Sequence, residues 1–368
     1  MPTKHGRAPR GARSGAVGAL VALALLTTAA CGVGEPTAPP TVTAAPDVAV
    51  PKAAPPEPVK PKPEPKPAVW PLTGQRTGTT KVPARAAVAV KVENSVAARP
   101  QRGLQSADIV WEQVVEGGIS RYVAVYHSAL PSTVGPVRSV RPMDPAIVAP
   151  MHGILAYSGG QPPFIRAVGK AGVQSVTMDS GDPGFWRSGN RLAPHNVYGS
   201  VKKFAKQANG SRAEPPAAQF SYAAKRGQGS AAKNDRKGRV ADVRLSPAQR
   251  TVWRWKGDTK RYARYDGSTP SMSSGKQLEA RNVLVLSVKL KNTKYRDPSG
   301  APVPETQMVG SGKGVLLTRG KALNVTWKKK GTRSRLVLTT PGGKPALLDP
   351  GNLWIELVPR GSGSWKVS

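Results

Sequence analysis

Cysteine is almost missing from this chain of 368 residues: Cys31 is the only one. One thiol excludes an intramolecular disulfide, a thiolate metal cluster and a paired-cysteine redox centre, so stability has to come from an ordinary core. Acidic residues are scarce too, 21 against 55 lysines and arginines, for a net charge of +34. An excess of this sign bears on partners and solubility rather than on fold. Beyond His5 there are three histidines, His127, His152 and His195, none closer than 25 residues to another. That spacing supplies no HxxxH-type zinc motif. No run after the first thirty residues approaches the about 20 apolar residues needed to cross a bilayer.

The N-terminus is the patterned exception. Lys4, Arg7, Arg10 and Arg13 precede an uncharged stretch from Ala16 to Ala30, and Thr28, Ala29 and Ala30 lead directly into Cys31. A basic region, a short apolar region and small residues before a cleavage point describe an export signal. The arrangement resembles the lipobox of bacterial lipoproteins, in which the cysteine takes a diacylglyceryl group and begins the mature chain; Thr28 stands where leucine is most common. On this reading residues 1–30 are removed, Cys31 is the lipidation site, and a mature chain of charge +30 is anchored to the cell membrane facing the extracytoplasmic side. That location turns a basic surface away from nucleic acid and toward anionic wall or capsular polymers, lipid headgroups and pyrophosphate-linked lipid carriers.

Residues 31–70 form a proline-rich linker, with 13 prolines between positions 35 and 71. Such a chain favours polyproline II at about 3.1 Å per residue and acts as a spacer. Residues 71–206 read as a mixed α/β module: Val88, Val90 and Val92 alternate, Ala107–Val115 and Arg121–Leu130 are strand-like, ILAYSGG suits a short strand, and PPFIRAVGKAG suits a helix closed by Gly172. A basic stretch, 207–239, is a linker or loop. Residues 240–366 carry many short strand patterns separated by turn residues and no convincing helix, as in a barrel or sandwich. The expected class is α+β, a mixed α/β module followed by a β-rich one.

Several segments carry a family resemblance. They are PLTG at 71–74, VKVENSVAARPQRGLQSADIVWEQVVEGGISRYVAVYHS at 90–128, GPVRSVRP at 135–142, FWRSGNRLAPHNVY at 185–198, ARNVLV at 280–285 and DPGNLWIELVP at 349–359. In this order and spacing they resemble the YerB-like family of bacterial lipoproteins, whose two modules have no assigned activity. The resemblance implies a lipid-anchored envelope protein. A looser likeness, through ADIV, VRSVRP and ILAYSGG, is to the LytR–CpsA–Psr envelope phosphotransferases. It implies a polyprenyl-pyrophosphate site using Asp108, Arg138 and Arg141, although Arg141 is separated from Asp144 by Pro142 and Met143.

The residues themselves suggest an anion site. Arg138 and Arg141 are three apart, and with Arg121 they could present guanidinium forks to one phosphate or carboxylate. Asp108, Glu112 and Glu116 lie near in sequence, either pairing with these arginines or holding a divalent cation, the one cofactor such carboxylates admit. His195, after Pro194, is the first catalytic candidate because imidazole titrates near neutrality, and Asp108 is the second. Trp186 and Tyr198 flank Arg187 and Arg191, a combination suited to sugar or headgroup recognition. Two functions follow: binding of an anionic envelope component, or phosphotransfer or phosphohydrolysis on a lipid-linked substrate.

Overall fold

The computed structural model describes residues 67–368. Cys31 and the expected export segment and proline-rich spacer, up to residue 66, lie outside the described residues. No helix among the described residues is long and apolar enough to cross a membrane.

The first strands form where the sequence alternates: β1 (Val88–Glu93), β2 (Ile109–Val114), β3 (Ser120–Tyr126), β4 (Ile154–Tyr157) and β5 (Gln174–Thr177). The turn from β2 to β3 is Glu116–Gly118, and both of its glycines have positive φ, 68° and 71°, which a side chain would resist. Helices are few and short: α1 (Asp144–Val148), α2 (Pro162–Lys170) and α3 (Val201–Ala205). Gly172, at φ 80°, follows α2 as a helix-ending glycine should.

These strands do not make a sheet of their own. They continue into an 11-stranded sheet with strands from the far end of the chain, and Leu353–Pro359 lies between β2 and the long strand Asn282–Arg296. Ile109 pairs in parallel with Leu353 and Asn282 pairs with the same residue from the other side. The expected boundary between a mixed module and a β-rich one is therefore crossed by the central sheet, and the fold is β-rich with few helices. Side-chain periodicity fixes which residues face a core but carries no information about which distant strand pairs with which.

Both faces of the sheet are covered. Ala89, Trp111, Val123 and Leu155 pack with residues of α1 and α2, while Val88, Val90, Tyr122 and Ala124 pack with Val243, Trp253 and Tyr262 of a six-stranded sheet. Burial on both sides explains why β1, β2 and β3 are buried along their whole length. The stretch 207–239 has little regular structure yet is fastened: Ser221–Tyr222 pairs with Leu347–Leu348, and the amides of Gly227 and Gly229 donate to Asp349 at 2.7 and 2.8 Å.

Trp253, Trp327 and Trp354 are core residues, as their strand positions suggest. Lys329 is buried although it sits in a run of three lysines, Lys328, Lys329 and Lys330. It ends the strand Lys321–Lys329, is 2% exposed, and its ammonium donates to the carbonyls of Thr332 and Ser334.

Candidate anion-binding site

One end of the sheet gathers charge. Glu93 closes β1, Glu116 follows β2, and Arg121, in β3, pairs in register with both Glu93 and Gln113. The GPVRSVRP segment crosses this end as an irregular strand. Pro136 accepts from the Glu93 amide at 2.9 Å, the Arg138 amide donates to Lys91 at 2.9 Å, and the Val140 amide donates to Gly159 at 3.0 Å. Backbone bonds on both sides thus deliver Arg138 and Arg141 to Arg121.

Arg141 grips Glu116 in a fork, Nε to Oε1 at 2.5 Å and Nη2 to Oε2 at 2.8 Å. Burial alone would raise the Glu116 carboxyl, but the Arg141 contact together with the Arg121 charge and a backbone hydrogen bond outweighs it and holds it below its usual value. Arg121 is less well served. Its Nη2 lies 3.9 Å from Glu116, its Nη1 donates to the Ser139 carbonyl at 3.2 Å, and its Nε has no partner. Burial, followed by the charges of Arg141 and Arg138, lowers its guanidinium to about 9.

Glu93, 2% exposed, holds the other flank. Its Oε1 lies 2.9 Å from His195 Nδ1 and accepts from Ser95 at 2.8 Å, and its Oε2 is 3.6 Å from Arg138 Nε. Beneath lies Asp144, which accepts from Lys91 Nζ at 2.7 Å, Gln113 Nε2 at 2.5 Å and the Arg141 amide at 2.7 Å. Burial pushes the Lys91 ammonium down to about 8, with Asp144 partly offsetting it. Within 4 Å, and among the described residues, Lys91, Arg121, Arg138 and Arg141 thus share three carboxylates, Glu93, Glu116 and Asp144, while Asp297 feels the Arg141 charge from farther off.

The sequence-derived candidates divide accordingly. Glu116, Arg121, Arg138, Arg141 and His195 come together. Asp108 does not: it precedes β2 whereas Glu116 follows it, a separation of about 20 Å along six residues of strand. Its carboxylate accepts from the amides of His127 at 2.6 Å and Ser128 at 2.8 Å and from the Ser128 hydroxyl. Burial raises its pKa. Arg187 is exposed and donates to Asn196 Oδ1 at 2.8 Å, in the hairpin whose loop carries His195.

Glu112 belongs to the opposite face of β2, where it accepts from Arg264 Nη2 at 2.7 Å. Asp108, Glu112 and Glu116 therefore point to three separate places, and among the described residues no three His, Cys, Asp or Glu side chains converge as metal ligands would. Glu93, Lys91 and Asp144 were not apparent as site residues. The one available signal was VKVEN, whose alternation puts Lys91 and Glu93 on the same side of β1.

The model of the DUF3048 N-terminal domain, a family of proteins of unknown function, matches residues 72–214, and that of the DUF3048 C-terminal domain matches 241–355. The Bacillus subtilis (strain 168) protein named "Putative lipoprotein YerB" is 30% identical over 298 residues, covering 78% of this chain and 86% of that protein. The crystal structure of YerB from Bacillus subtilis superposes with a TM-score of 0.68 at 26% identity, over 81% of this chain and 99% of that one. Both domain matches contribute strands to the 11-stranded sheet, and by them and by this relative the chain belongs to the YerB-like family of DUF3048 proteins.

Proposed function

We propose that the protein is a lipid-anchored binding component of the cell envelope, and that an anionic group of its ligand, a phosphate or carboxylate, seats on Arg121, Arg138 and Arg141. The observation that carries the reading is the buried, under-compensated Arg121, whose Nε is unpartnered beside two further arginines. An anion there would supply the missing countercharge and accept from planar donors. The lipobox-like N-terminus and the lipoprotein name of the Bacillus relative favour an envelope location. Wall or capsular polymer and the pyrophosphate of a lipid-linked carrier are the partners that fit. Transfer chemistry is the weaker reading, because Asp108 stands at the other end of β2.

Calorimetric titration with inorganic pyrophosphate and with purified wall glycopolymer tests this. Arg138→Ala, at the half-buried and most accessible arginine, should weaken both by about tenfold, the order of a charge-assisted contact. If Arg138→Ala and Arg141→Ala proteins bind polymer as well as the wild type does, and salt alone dissociates it, the diffuse basic surface is responsible and the reading fails.

A further inference from the structure

The hairpin Phe185–Arg187/Val197–Gly199 also borders a cleft that plays no part in the arginine cluster. The cleft has a volume of about 790 Å³, inside the roughly 300–1,000 Å³ of small-ligand sites. It opens between this hairpin, the Pro100–Arg102 segment and the tight turn at Ser274–Gly275. Residues of both family domains therefore form it.

Its walls are tied together. The Ser274 amide donates to Gln101 at 3.1 Å and the Gly103 amide to Ser274 Oγ at 3.2 Å. Arg191 donates to the carbonyls of Ala97 at 2.7 Å and Pro100 at 2.8 Å, closing the hairpin loop onto the opposite wall. Its floor is aromatic: Trp186, 39% exposed, lies 6.4 Å from Tyr198 with ring planes only 25° apart. Around that floor are short neutral hydrogen-bonding side chains, among them Thr133, Ser188, Asn190 and Ser274.

A large indole left exposed costs hydration unless something covers it. With Arg191 engaged by carbonyls, Arg102 is the one further cation of the lining, and there is no acid. A polyanion would want more charge, and a lipid tail would want fewer hydroxyls. A pyranose ring matches both parts: its axial C–H face lies on a flat aromatic ring, and its equatorial hydroxyls reach amide and hydroxyl partners at the edge.

We propose that this cleft is a carbohydrate subsite that takes uncharged pyranose units of an envelope glycan, with Trp186 as the stacking platform. It stands on residues other than the arginines and does not depend on the anion reading.

The test uses the mature protein with tetramers of N-acetylglucosamine and of glucose as probes, read by calorimetry and saturation-transfer NMR. At least one tetramer should bind, with an affinity unchanged by added salt. Trp186→Ala, a surface change, should weaken it by about tenfold or more, and Trp186→Phe should recover part of the loss. Trp186→Ala should still bind pyrophosphate as the wild type does, so that failure of one site is distinguishable from failure of the other. The proposal is overturned if neither tetramer binds at millimolar concentration or if Trp186→Ala binds as tightly as wild type. Tighter binding of a nucleoside monophosphate than of both tetramers overturns it as well.

Discussion

Glu112 and Glu356 stand opposite each other on adjacent parallel strands, and neither is exposed to solvent. Arg264 reaches them from the six-stranded sheet, donating to Glu112 at 2.7 Å and to Asp266 at 2.8 Å, while Trp253 Nε1 donates to Glu356 Oε1 at 2.9 Å. Burial first, and the neighbouring Glu112 second, push the Glu356 carboxyl well above its usual value. A proton retained on Glu356 lets two buried carboxyls share a hydrogen bond instead of repelling.

This pair gives stability a definite pH slope. Glu356 holds its proton in the folded state above the pH at which the unfolded chain loses it, so its contribution is complete below about pH 4.5 and is lost as pH rises toward the folded value. Glu356→Gln, a permanent mimic of the protonated form, should flatten the slope. In urea melts from pH 4 upward, the variant is expected to gain on the wild type steadily toward neutral and alkaline pH; parallel curves would refute the assignment.

Asp144 is the sole carboxylate against the buried Lys91, and it also anchors Gln113 and the Arg141 amide. Asp144→Ala leaves the ammonium unpaired, so a loss of about 3–5 kcal/mol is expected from denaturant titration. Adding Lys91→Met should restore part of it, because the charge that lacked a partner is then gone.

His127 has no exposure, no well-formed hydrogen bond reaches either ring nitrogen although the Arg85 backbone lies near, and Trp70 meets it edge-on at 5.2 Å. Burial, aided by the nearby Arg85 charge, lowers its imidazole from 6.5 to about 4. The unfolded chain therefore binds a proton that the folded chain refuses, and stability present above about pH 6.5 falls by roughly 3 kcal/mol as pH drops toward 4. His127→Phe keeps the shape and should remove this acid-side loss, as thermal unfolding at stepped pH would show.

Local order was legible in the sequence where the signal was periodic or a chain-breaking residue. The valines of β1, the β2 and β3 runs, the short β4 strand and the Gly172 end of α2 all lie where alternation and turn chemistry put them. The arginine grouping was legible too, because Arg138 and Arg141 share one short segment. Pairing across long range was not. Glu93 as the partner of His195 spans 102 residues, and Glu112 with Arg264 spans 152. No spacing rule reaches that far. Arg264 and Lys91 were hidden for a related reason: a charge in an alternating strand looks solvent-facing until a second layer covers that face.

The position of Leu353–Pro359 inside the sheet, rather than at its edge, governs the order in which the molecule can be assembled. Synthesis delivers β1 to β5 first, yet β2 has no neighbour on one side until Leu353–Pro359 arrives some 240 residues later. A product that stops short of Leu353 would display open backbone donors and acceptors along β2 and along Asn282–Leu286, an adhesive surface for other chains. Placement of Leu353–Pro359 is thus the step that closes the central sheet and covers those two open edges.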